Sequence, residues 1–268
     1  MPTLPRLLRA CHPEPTAAVT GIAAALAAAA GAGPVVVGTA FLSGQLSVGW
    51  SNDWIDAGRD LAVGRTDKPV VQGLPVPVLR AAALAALAAC LPLSLLMGVR
   101  AAAAHLVAVS SAWLYNARLK STPWSFVPYA VSFGLVPSVV TLAAPAHAAA
   151  PWWATAAGAL LGVGAHGANV LPDLDDDAAT GVRGLPHRLG RGPTTVLSGL
   201  ALVLATVLLA VGPGSSALGW TAVGASVLVF AAGLAAARRP GSRAAFLAVI
   251  VVAGLDVGLL LLRGASLA

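Results

Sequence analysis

The chain has 268 residues, of which 58% are hydrophobic and 10% charged, and its mean hydropathy is +0.84. Because soluble domains carry nearer 25% charged residues, this composition argues against a water-soluble globular enzyme and indicates a compact polytopic membrane protein. The net charge of +6 comes without any long basic run, so we attribute it to basic loops and expect no nucleic-acid partner.

Apolar segments recur along the whole chain and predict an all-α membrane bundle of about nine transmembrane helices. The 29 glycines and many alanines are typical of helices that pack closely in lipid. Nine spans of about 20 residues leave room for loops but for no separate soluble domain, so we expect residues 1–268 to form one domain. The predicted spans are 16–32, 34–51, 76–98, 101–117, 125–145, 151–170, 193–212, 216–237 and 244–262.

The distribution of basic residues predicts the orientation of this bundle. If the N-terminus is cytosolic, only Arg100 and Arg263 lie on the external side, and the other fourteen Lys and Arg residues lie on the cytosolic side. This asymmetry predicts an odd number of spans with the N-terminus inside and the C-terminus outside. The fourteen are Arg6, Arg9, Arg59, Arg65, Lys68, Arg80, Arg118, Lys120, Arg183, Arg188, Arg191, Arg238, Arg239 and Arg243.

The acidic residues are concentrated in two short stretches at helix ends on the predicted cytosolic side. In the first stretch, Asn52, Asp56 and Asp60 are spaced i, i+4, i+8, which places them on one face of a continuing helix, and Asp53 borders that face. The second stretch repeats the spacing 117 residues later, with a glycine at the next step of each. The matched residues are Asn52 and Asn169, Asp56 and Asp173, Asp60 and Asp177, and Gly64 and Gly181.

Carboxylates placed one helical turn apart repel each other, and this cost is greater at a membrane boundary than in water. Divalent cations would offset the repulsion, and Mg²⁺ prefers hard oxygen ligands together with substrate phosphates. The two stretches therefore predict a site for Mg²⁺ and a diphosphate. For Asp67, Asp175 and Asp176 we favour the simpler interpretation of acids in a solvated loop.

The first stretch, Asn52–Asp60 followed by Arg65, Thr66 and Pro69, resembles the NDxxDxxxD…RTxxP signature of the UbiA superfamily of membrane prenyltransferases. The second resembles that superfamily's DxxxD motif, and nine predicted spans agree with its nine-helix bundle. The resemblance implies that Asp56 and Asp173 are essential for catalysis. It implies that Mg²⁺ and the diphosphate of an isoprenyl donor are bound by Asn52, Asp53, Asp56, Asp60, Asp173 and Asp177.

The same superfamily carries a Tyr and a Lys after its fourth span, often as YxxxK. This chain has YNARLK instead, with Arg118 three residues and Lys120 five residues after Tyr115. The spacing therefore does not decide which cation contacts the diphosphate. Lys120 is a candidate for catalysis as well as for binding. The Tyr115 ring is either a stabiliser of a carbocation or an interfacial aromatic. The candidate diphosphate-binding residues are Asn52, Arg65, Lys68, Arg118, Lys120 and Asn169, and the positive-inside rule accounts equally well for Arg183.

The resemblance implies transfer of an isoprenyl group from its diphosphate to an aromatic or other lipophilic acceptor. We expect a multi-pass protein of the cell membrane with its site facing the cytosol, and with membrane lipids, the donor and the acceptor as partners. A terpene cyclase, a prenyl-phosphate transferase acting on a sugar diphosphate and a transporter are the alternatives. Transporter sites lie near the midplane, whereas both acidic stretches lie at helix ends. His166 either faces the cavity or bonds to a neighbouring helix, Asp256 is assigned to helix–helix bonding, and His187 to a solvated loop.

Overall fold

The structure is a computed structural model that describes residues 3–179, 181–237 and 242–267, with the backbone alone at positions 175, 176 and 178. Arg238 and Arg239, two of the residues used to predict the orientation, lie outside this range. Two 3₁₀ turns, Leu119–Ser121 and Gly264–Ser266, accompany the α-helices. The helices are α1 (Thr3–Ala10), α2 (Pro13–Ala29), α3 (Pro34–Val63), α4 (Val76–Leu95), α5 (Val99–Ala117), α6 (Val127–Ala143), α7 (Trp152–Val170), α8 (Leu174–Ala179), α9 (Leu185–Leu189), α10 (Arg191–Val211), α11 (Ala217–Ala236) and α12 (Ala244–Leu262).

Each predicted span coincides with one long helix, in the order α2 to α7 and then α10 to α12. Within the described ranges, α4, α10, α11 and α12 are long and apolar enough to cross a membrane by length and composition. The other five long helices do not meet these criteria of length and hydropathy, for physical reasons. Helices α2 and α6 have 17 residues each, whereas α3, α5 and α7 include Gly, Ser, His, Asn or Asp residues that lower their hydropathy.

The long helices pack in a closed ring. Consecutive helices contact each other from α2 to α7, α7 packs on α10, and α10 contacts both α11 and α12. Helix α12 also contacts α7 and returns to α2, which closes the ring. Short connections at both ends favour this antiparallel packing of neighbours. The main apolar core lies inside the ring, and a second small core lies at the end where α1 meets α3 and the loop that follows α3.

Glycines let α6 and α7 approach backbone to backbone. A Cβ at Gly158 would come 2.6 Å from the Phe133 carbonyl oxygen, and one at Gly162 would overlap the carbonyl oxygen of Tyr129. Small residues at such crossings are the usual basis of close helix packing in membranes. The contact fixes Tyr129 beside the helix that leads to the second acidic stretch.

The two acidic stretches end their helices differently. Helix α3 runs 30 residues, past its apolar part, and stops at Gly64, whose φ of 67° is left-handed. Helix α7 stops at Val170, and Pro172, which lacks an N–H, lies in the turn before α8. Asn169, Asp173 and Asp177 therefore do not lie on one continuous helix, although the equivalent residues of the first stretch do.

Candidate active site

Asp56 is the most strongly paired carboxylate of the first acidic stretch. It is buried on α3, and it accepts a hydrogen bond from the Lys120 ammonium, which comes from the 3₁₀ turn after α5. The guanidinium of Arg59, one turn further along α3, lies 2.8 Å from its other oxygen. Two cations therefore hold one carboxylate, and the Asp56–Lys120 pair joins α3 to the segment after α5.

Asp60 lies one turn beyond Asp56, and only 1% of its surface is exposed. Its Oδ2 atom is buried and has no hydrogen-bond partner among the residues that the structure describes. A buried carboxylate oxygen without a partner is costly, so this atom is available to a ligand.

Asn52, at the start of the same face, is oriented by α5. Its side-chain amide donates to Asn116 Oδ1 at 3.1 Å. The Asn116 amide donates in turn to the Val48 carbonyl at 3.0 Å and to the Ser51 hydroxyl at 2.9 Å. Asn116 thus fixes the side chain of Asn52, and the sequence interpretation did not single it out although it follows Tyr115.

Asp53 has different partners from Asp56 and Asp60. Its Oδ1 atom lies 3.1 Å from His12 Nε2 and 3.2 Å from Lys68 Nζ. The carboxylate is buried, so the N-terminal segment and the loop after α3 meet on it. Lys68, a predicted diphosphate-binding residue, is therefore paired with Asp53.

Arg65 brings the two acidic stretches together. Its guanidinium lies 3.7 Å from Asp177 and 4.0 Å from Asp173, and 3.3 Å from Asp67 of its own loop. Asp173 is about half exposed and Asp177 largely buried. Burial raises the pKa of the Asp177 carboxyl above its ordinary value.

His187 also belongs to this site, and its assignment to a solvated loop is wrong. Its side chain is only 4% exposed, and Nε2 lies 3.7 Å from Asp177 Oδ2. Neither ring nitrogen has a hydrogen-bond partner in the described part of the chain. Burial lowers the pKa of the imidazole. No spacing rule in the sequence connects His187 with Asp177.

The internal repeat extends to the backbone that follows each stretch. Gly64 and Gly181 both adopt left-handed φ angles, 67° and 84°. The next residue bonds back to the last aspartate of its stretch in both cases. The Arg65 amide donates to the Asp60 carbonyl at 3.1 Å, and the Val182 amide to the Asp177 carbonyl at 2.9 Å. Both stretches therefore end in the same 6→1 cap, which requires a residue such as glycine that tolerates positive φ.

Of the two cations near Tyr115, Lys120 points into the site. Its burial lowers the pKa of the ammonium, although Asp56 beside it acts in the opposite direction. Arg118 is exposed, and its side chain makes no hydrogen bond or ion pair with any described residue. Of these two, only Lys120 contacts an acidic residue.

Aromatic rings from α5, α6 and α7 meet one another. The Tyr115 and Tyr129 rings meet edge to face at 5.2 Å between centroids, and both contact the His166 ring. Ser125 fixes that histidine, because its hydroxyl lies 3.0 Å from His166 Nε2 while accepting from the Leu185 amide at 2.9 Å. The second nitrogen of His166 is buried and has no hydrogen-bond partner in the described ranges of the chain. His166 therefore contacts the Tyr115 ring and also bonds to a neighbouring segment.

The remaining predicted residues lie apart from these contacts. Asn169 and Arg183 are exposed, and Asp256 is buried between helices, where it accepts a hydrogen bond from Thr206 at 2.5 Å. This contact confirms that Asp256 bonds helix to helix. The side chains of Asp175 and Asp176 lie outside the described part of the structure.

The donor chemistry fits Mg²⁺. Among the described residues, no three Asp, Glu, His or Cys side chains already converge on one point. The carboxylates instead pair with Lys120, Arg59 and Arg65, and Asp60 keeps an oxygen without a partner. Carboxylate and amide oxygens are the ligands that Mg²⁺ prefers. The unpartnered oxygen and the neighbouring cations are the features expected where a metal ion and an anion bind together.

Comparison with known proteins places this arrangement in a family. The sequence matches the profile of the UbiA prenyltransferase family over residues 16–262. A UbiA homolog from Archaeoglobus fulgidus bound to GPP and Mg²⁺ is similar in structure, with a TM-score of 0.71 and 16% sequence identity over 98% of this chain and 100% of that chain. The same homolog bound to DMAPP and Mg²⁺ gives the same values.

An apo UbiA homolog from Aeropyrum pernix K1 has a TM-score of 0.70 and 19% identity over 93% of this chain and 98% of that chain. A search of curated proteins gives no significant match. At these identities the solved structures show the fold, whereas the profile covers most of the chain. The chain belongs to the UbiA prenyltransferase family.

Proposed function

We propose that the protein is a Mg²⁺-dependent membrane prenyltransferase that moves an isoprenyl group from an isoprenyl diphosphate to an aromatic or other lipophilic acceptor. The observation that carries this proposal is the junction of the two acidic stretches through Arg65, 3.7 Å from Asp177, next to the unpartnered oxygen of Asp60. The two structures of the Archaeoglobus fulgidus homolog, bound to GPP or to DMAPP with Mg²⁺, support the same class of donor.

Asn52, Asp56 and Asp60 of the first stretch, with Asp173 and Asp177 of the second, are the residues that would hold Mg²⁺. When bound, Mg²⁺ supplies positive charge that stabilises the departing diphosphate. Lys120 and Arg65 supply further positive charge from the chain itself, and both already lie against these carboxylates. Arg65 offers a planar fork of donors that suits phosphate oxygens, whereas Lys120 acts as a point charge.

The allylic group would lie against the rings of Tyr115 and Tyr129. Tyr115 lies in the last turn of α5, just before the 3₁₀ turn that carries Lys120, and its ring meets that of Tyr129. Aromatic faces stabilise nearby positive charge while excluding water. The Asp56 carboxylate holds Lys120 in place through their ion pair. The chain thus provides cations at the diphosphate end and aromatic rings at the hydrocarbon end.

We further propose that the nine long helices found in the described ranges cross the membrane as one domain, with a cytosolic N-terminus and the site on the cytosolic side. In α3, α5 and α7 the polar and small residues lie largely on buried positions, which keeps them from lipid. Labelling of single introduced cysteines in the loop after α4 and in the loop after α5 tests the orientation. Only the latter should react from the cytosolic side.

The test of activity uses the full chain purified in detergent. It is incubated with Mg²⁺ and dimethylallyl, geranyl, farnesyl or geranylgeranyl diphosphate, with and without a panel of phenolic and quinone-precursor acceptors, and prenylated products and diphosphate are measured. Acceptor-dependent product that is lost in Asp56→Ala and Asp173→Ala, but kept in the exposed-residue control Arg183→Ala, supports the proposal. A cyclic hydrocarbon formed without acceptor would replace it by terpene cyclisation.

A further inference from the structure

Asp53 stands apart from the other acidic residues of its stretch. We propose that Asp53 is a positioning residue and not a metal ligand, and that it anchors both the N-terminal segment and the loop that carries Arg65. This inference rests on the proposed function, because it assigns Asp53 a role in the same site. It also departs from the role that the family signature implies for Asp53.

Asp53 lies beside the row that Asn52, Asp56 and Asp60 form along α3, and it meets different segments of the chain from Asp56. The partners differ accordingly. Asp56 is held by Lys120 and Arg59, whereas Asp53 Oδ1 is shared by His12 at 3.1 Å and Lys68 at 3.2 Å. The donors to Asp53 come from the N-terminal segment and from the loop after α3, whereas the donors to Asp56 come from α3 itself and from the segment after α5.

The N-terminal segment is fitted closely to this part of α3. The Trp50 indole donates to the Leu7 carbonyl at 2.8 Å, and Gly49 lies so close to the Cys11 carbonyl that a Cβ would overlap it. His12 has a φ of 54°, a left-handed conformation that is uncommon for a residue with a side chain. Such a conformation persists where surrounding contacts determine it, and here it directs the imidazole to Asp53.

The loop after α3 is tied to the same segment. Lys68 donates its backbone amide to the Arg65 carbonyl at 3.0 Å, so the residue that pairs with Asp53 also fixes Arg65. Arg9 donates to Gln72 at 3.3 Å, and Arg6 to the Gly73 carbonyl at 3.4 Å. The loop is therefore held by Asp53 on one side and by α1 on the other.

A physical chain of contacts follows from Asp53 to the second acidic stretch. Asp53 holds Lys68, Lys68 holds the backbone of Arg65, and Arg65 reaches Asp173 and Asp177. Neutralising Asp53 leaves two buried or half-buried donors without their acceptor, which loosens the contact more than it would at an exposed ion pair. The expected consequence is a displaced Arg65 with the metal ligands still in place.

Three measurements on the purified full chain separate positioning from ligation. Electron paramagnetic resonance counts bound Mn²⁺, calorimetry measures the affinity for inorganic diphosphate, and limited trypsin digestion reports cleavage after Arg9. The variants are Asp53→Asn, Asp60→Asn and His12→Ala, and Glu14→Gln is the control, because it neutralises an exposed acid close to His12.

We expect Asp53→Asn to bind as many Mn²⁺ ions as the native chain, to bind diphosphate about tenfold more weakly, and to be cleaved faster after Arg9. Asp60→Asn should lose bound Mn²⁺ and keep the native cleavage rate. His12→Ala keeps the carboxylate, and it should reproduce the faster cleavage. Combined with Asp53→Asn, it should add little, because both changes break one contact.

Loss of Mn²⁺ in Asp53→Asn, to the extent seen in Asp60→Asn, would overturn the proposal and make Asp53 a ligand. Native cleavage and native diphosphate affinity in both Asp53→Asn and His12→Ala would overturn it as well. If the native chain itself binds neither Mn²⁺ nor diphosphate, the proposed function fails instead. The cleavage rates of His12→Ala and the double variant would still decide whether Asp53 anchors the N-terminal segment.

Discussion

The guanidinium of Arg65, at the first turn of the loop after α3, lies 3.7 Å from Asp177 of the second acidic stretch. The two residues are far apart in sequence, and each follows or belongs to one copy of the repeated motif. One cation therefore neutralises part of the second copy while its backbone caps the first, through the bond from the Arg65 amide to the Asp60 carbonyl. A change at Arg65 should affect both copies.

Replacing Arg65 by alanine is expected to weaken diphosphate binding by about 10-fold to 100-fold, because a charge-assisted hydrogen bond contributes about 1.5–3 kcal/mol. Arg65→Lys should restore only part of this affinity, since an ammonium lacks the planar fork of donors. Calorimetry with inorganic diphosphate and Mg²⁺ measures both. Arg183→Ala, at an exposed arginine of the other loop, is the control. Equal affinities for Arg65→Ala and the native chain would remove Arg65 from the site.

The buried imidazole of His187 is expected to lower the stability of the fold while it supports metal binding. Neither of its buried ring nitrogens has a hydrogen-bond partner among the described residues, and a buried polar group left in this way costs about 1–3 kcal/mol. His187→Leu should therefore raise the thermal unfolding temperature in detergent. It should also weaken Mn²⁺ binding by about tenfold, because residues that orient metal-binding carboxylates contribute on this scale.

His187→Gln keeps a donor beside Asp177, and we expect it to bind Mn²⁺ more tightly than His187→Leu does. The Mn²⁺ affinity of each variant is measured by electron paramagnetic resonance and the unfolding temperature by differential scanning fluorimetry. A His187→Leu protein that is less stable than the native chain would mean that the imidazole has partners supplied by bound solvent or lipid.

Much of the fold could be predicted, because apolar runs report helices directly. Among the residues that the structure describes, nine long helices coincide with the nine predicted segments, and the periodicity of Asn52, Asp56 and Asp60 correctly placed them on one helix. The predicted end of the second span at residue 51 does not mark the end of the helix. Helix α3 continues to Val63, and its aspartates Asp53, Asp56 and Asp60 are buried by neighbouring segments. In the second stretch, Pro172 breaks the helix that equal spacing would otherwise continue.

The partners of the acidic residues could not be predicted in the same way. Two partners of the first stretch come from other segments, Lys120 from beyond α5 and His12 from the N-terminal segment, whereas Arg59 belongs to α3 itself. Sequence spacing reports neighbours on one helix, whereas these contacts arise where separate helix ends meet. The burial of side chains in loops was also not predictable from the sequence. The His187 side chain is buried and the neighbouring Arg188 is exposed, and this difference becomes visible only in the folded structure.

Diphosphate binding should weaken at both low and high pH, because two groups outside the membrane spans change their charge there. Burial raises the pKa of Asp177, so its carboxylate is lost on acidification at a higher pH than an ordinary aspartate, and metal-dependent binding should weaken there. Burial lowers the pKa of Lys120, so its charge is lost at a lower pH than that of an exposed lysine. Binding should therefore weaken again as the pH rises through that lowered pKa.

Lys120→Arg distinguishes this explanation from general alkaline unfolding. A guanidinium stays protonated throughout, so the alkaline limb of the affinity profile should move to higher pH while the acidic limb stays in place. Calorimetric titrations with diphosphate at a series of pH values measure both limbs. An alkaline limb that is unchanged in Lys120→Arg would assign it to another group.

Gly162, at the crossing of α6 and α7, should tolerate no side chain. A Cβ at Gly162 would overlap the Tyr129 carbonyl oxygen, which is backbone and cannot rotate away. We expect Gly162→Ala to destabilise the protein by about 1–3 kcal/mol, the usual effect of overpacking. Gly224→Ala on α11 is the matched control, because nothing lies within 4 Å of its added Cβ, and alanine favours a helix by about 1 kcal/mol.

Differential scanning fluorimetry in detergent measures the unfolding temperature of both variants and so compares the two glycines directly. Gly162→Ala should also lower prenyl transfer, because the displaced helices carry Tyr129 and the turn that leads to Asp173. Gly224→Ala should leave the transfer rate at its native value. If Gly162→Ala were as stable and as active as Gly224→Ala, the close approach of α6 and α7 would not be what positions the Tyr129 ring.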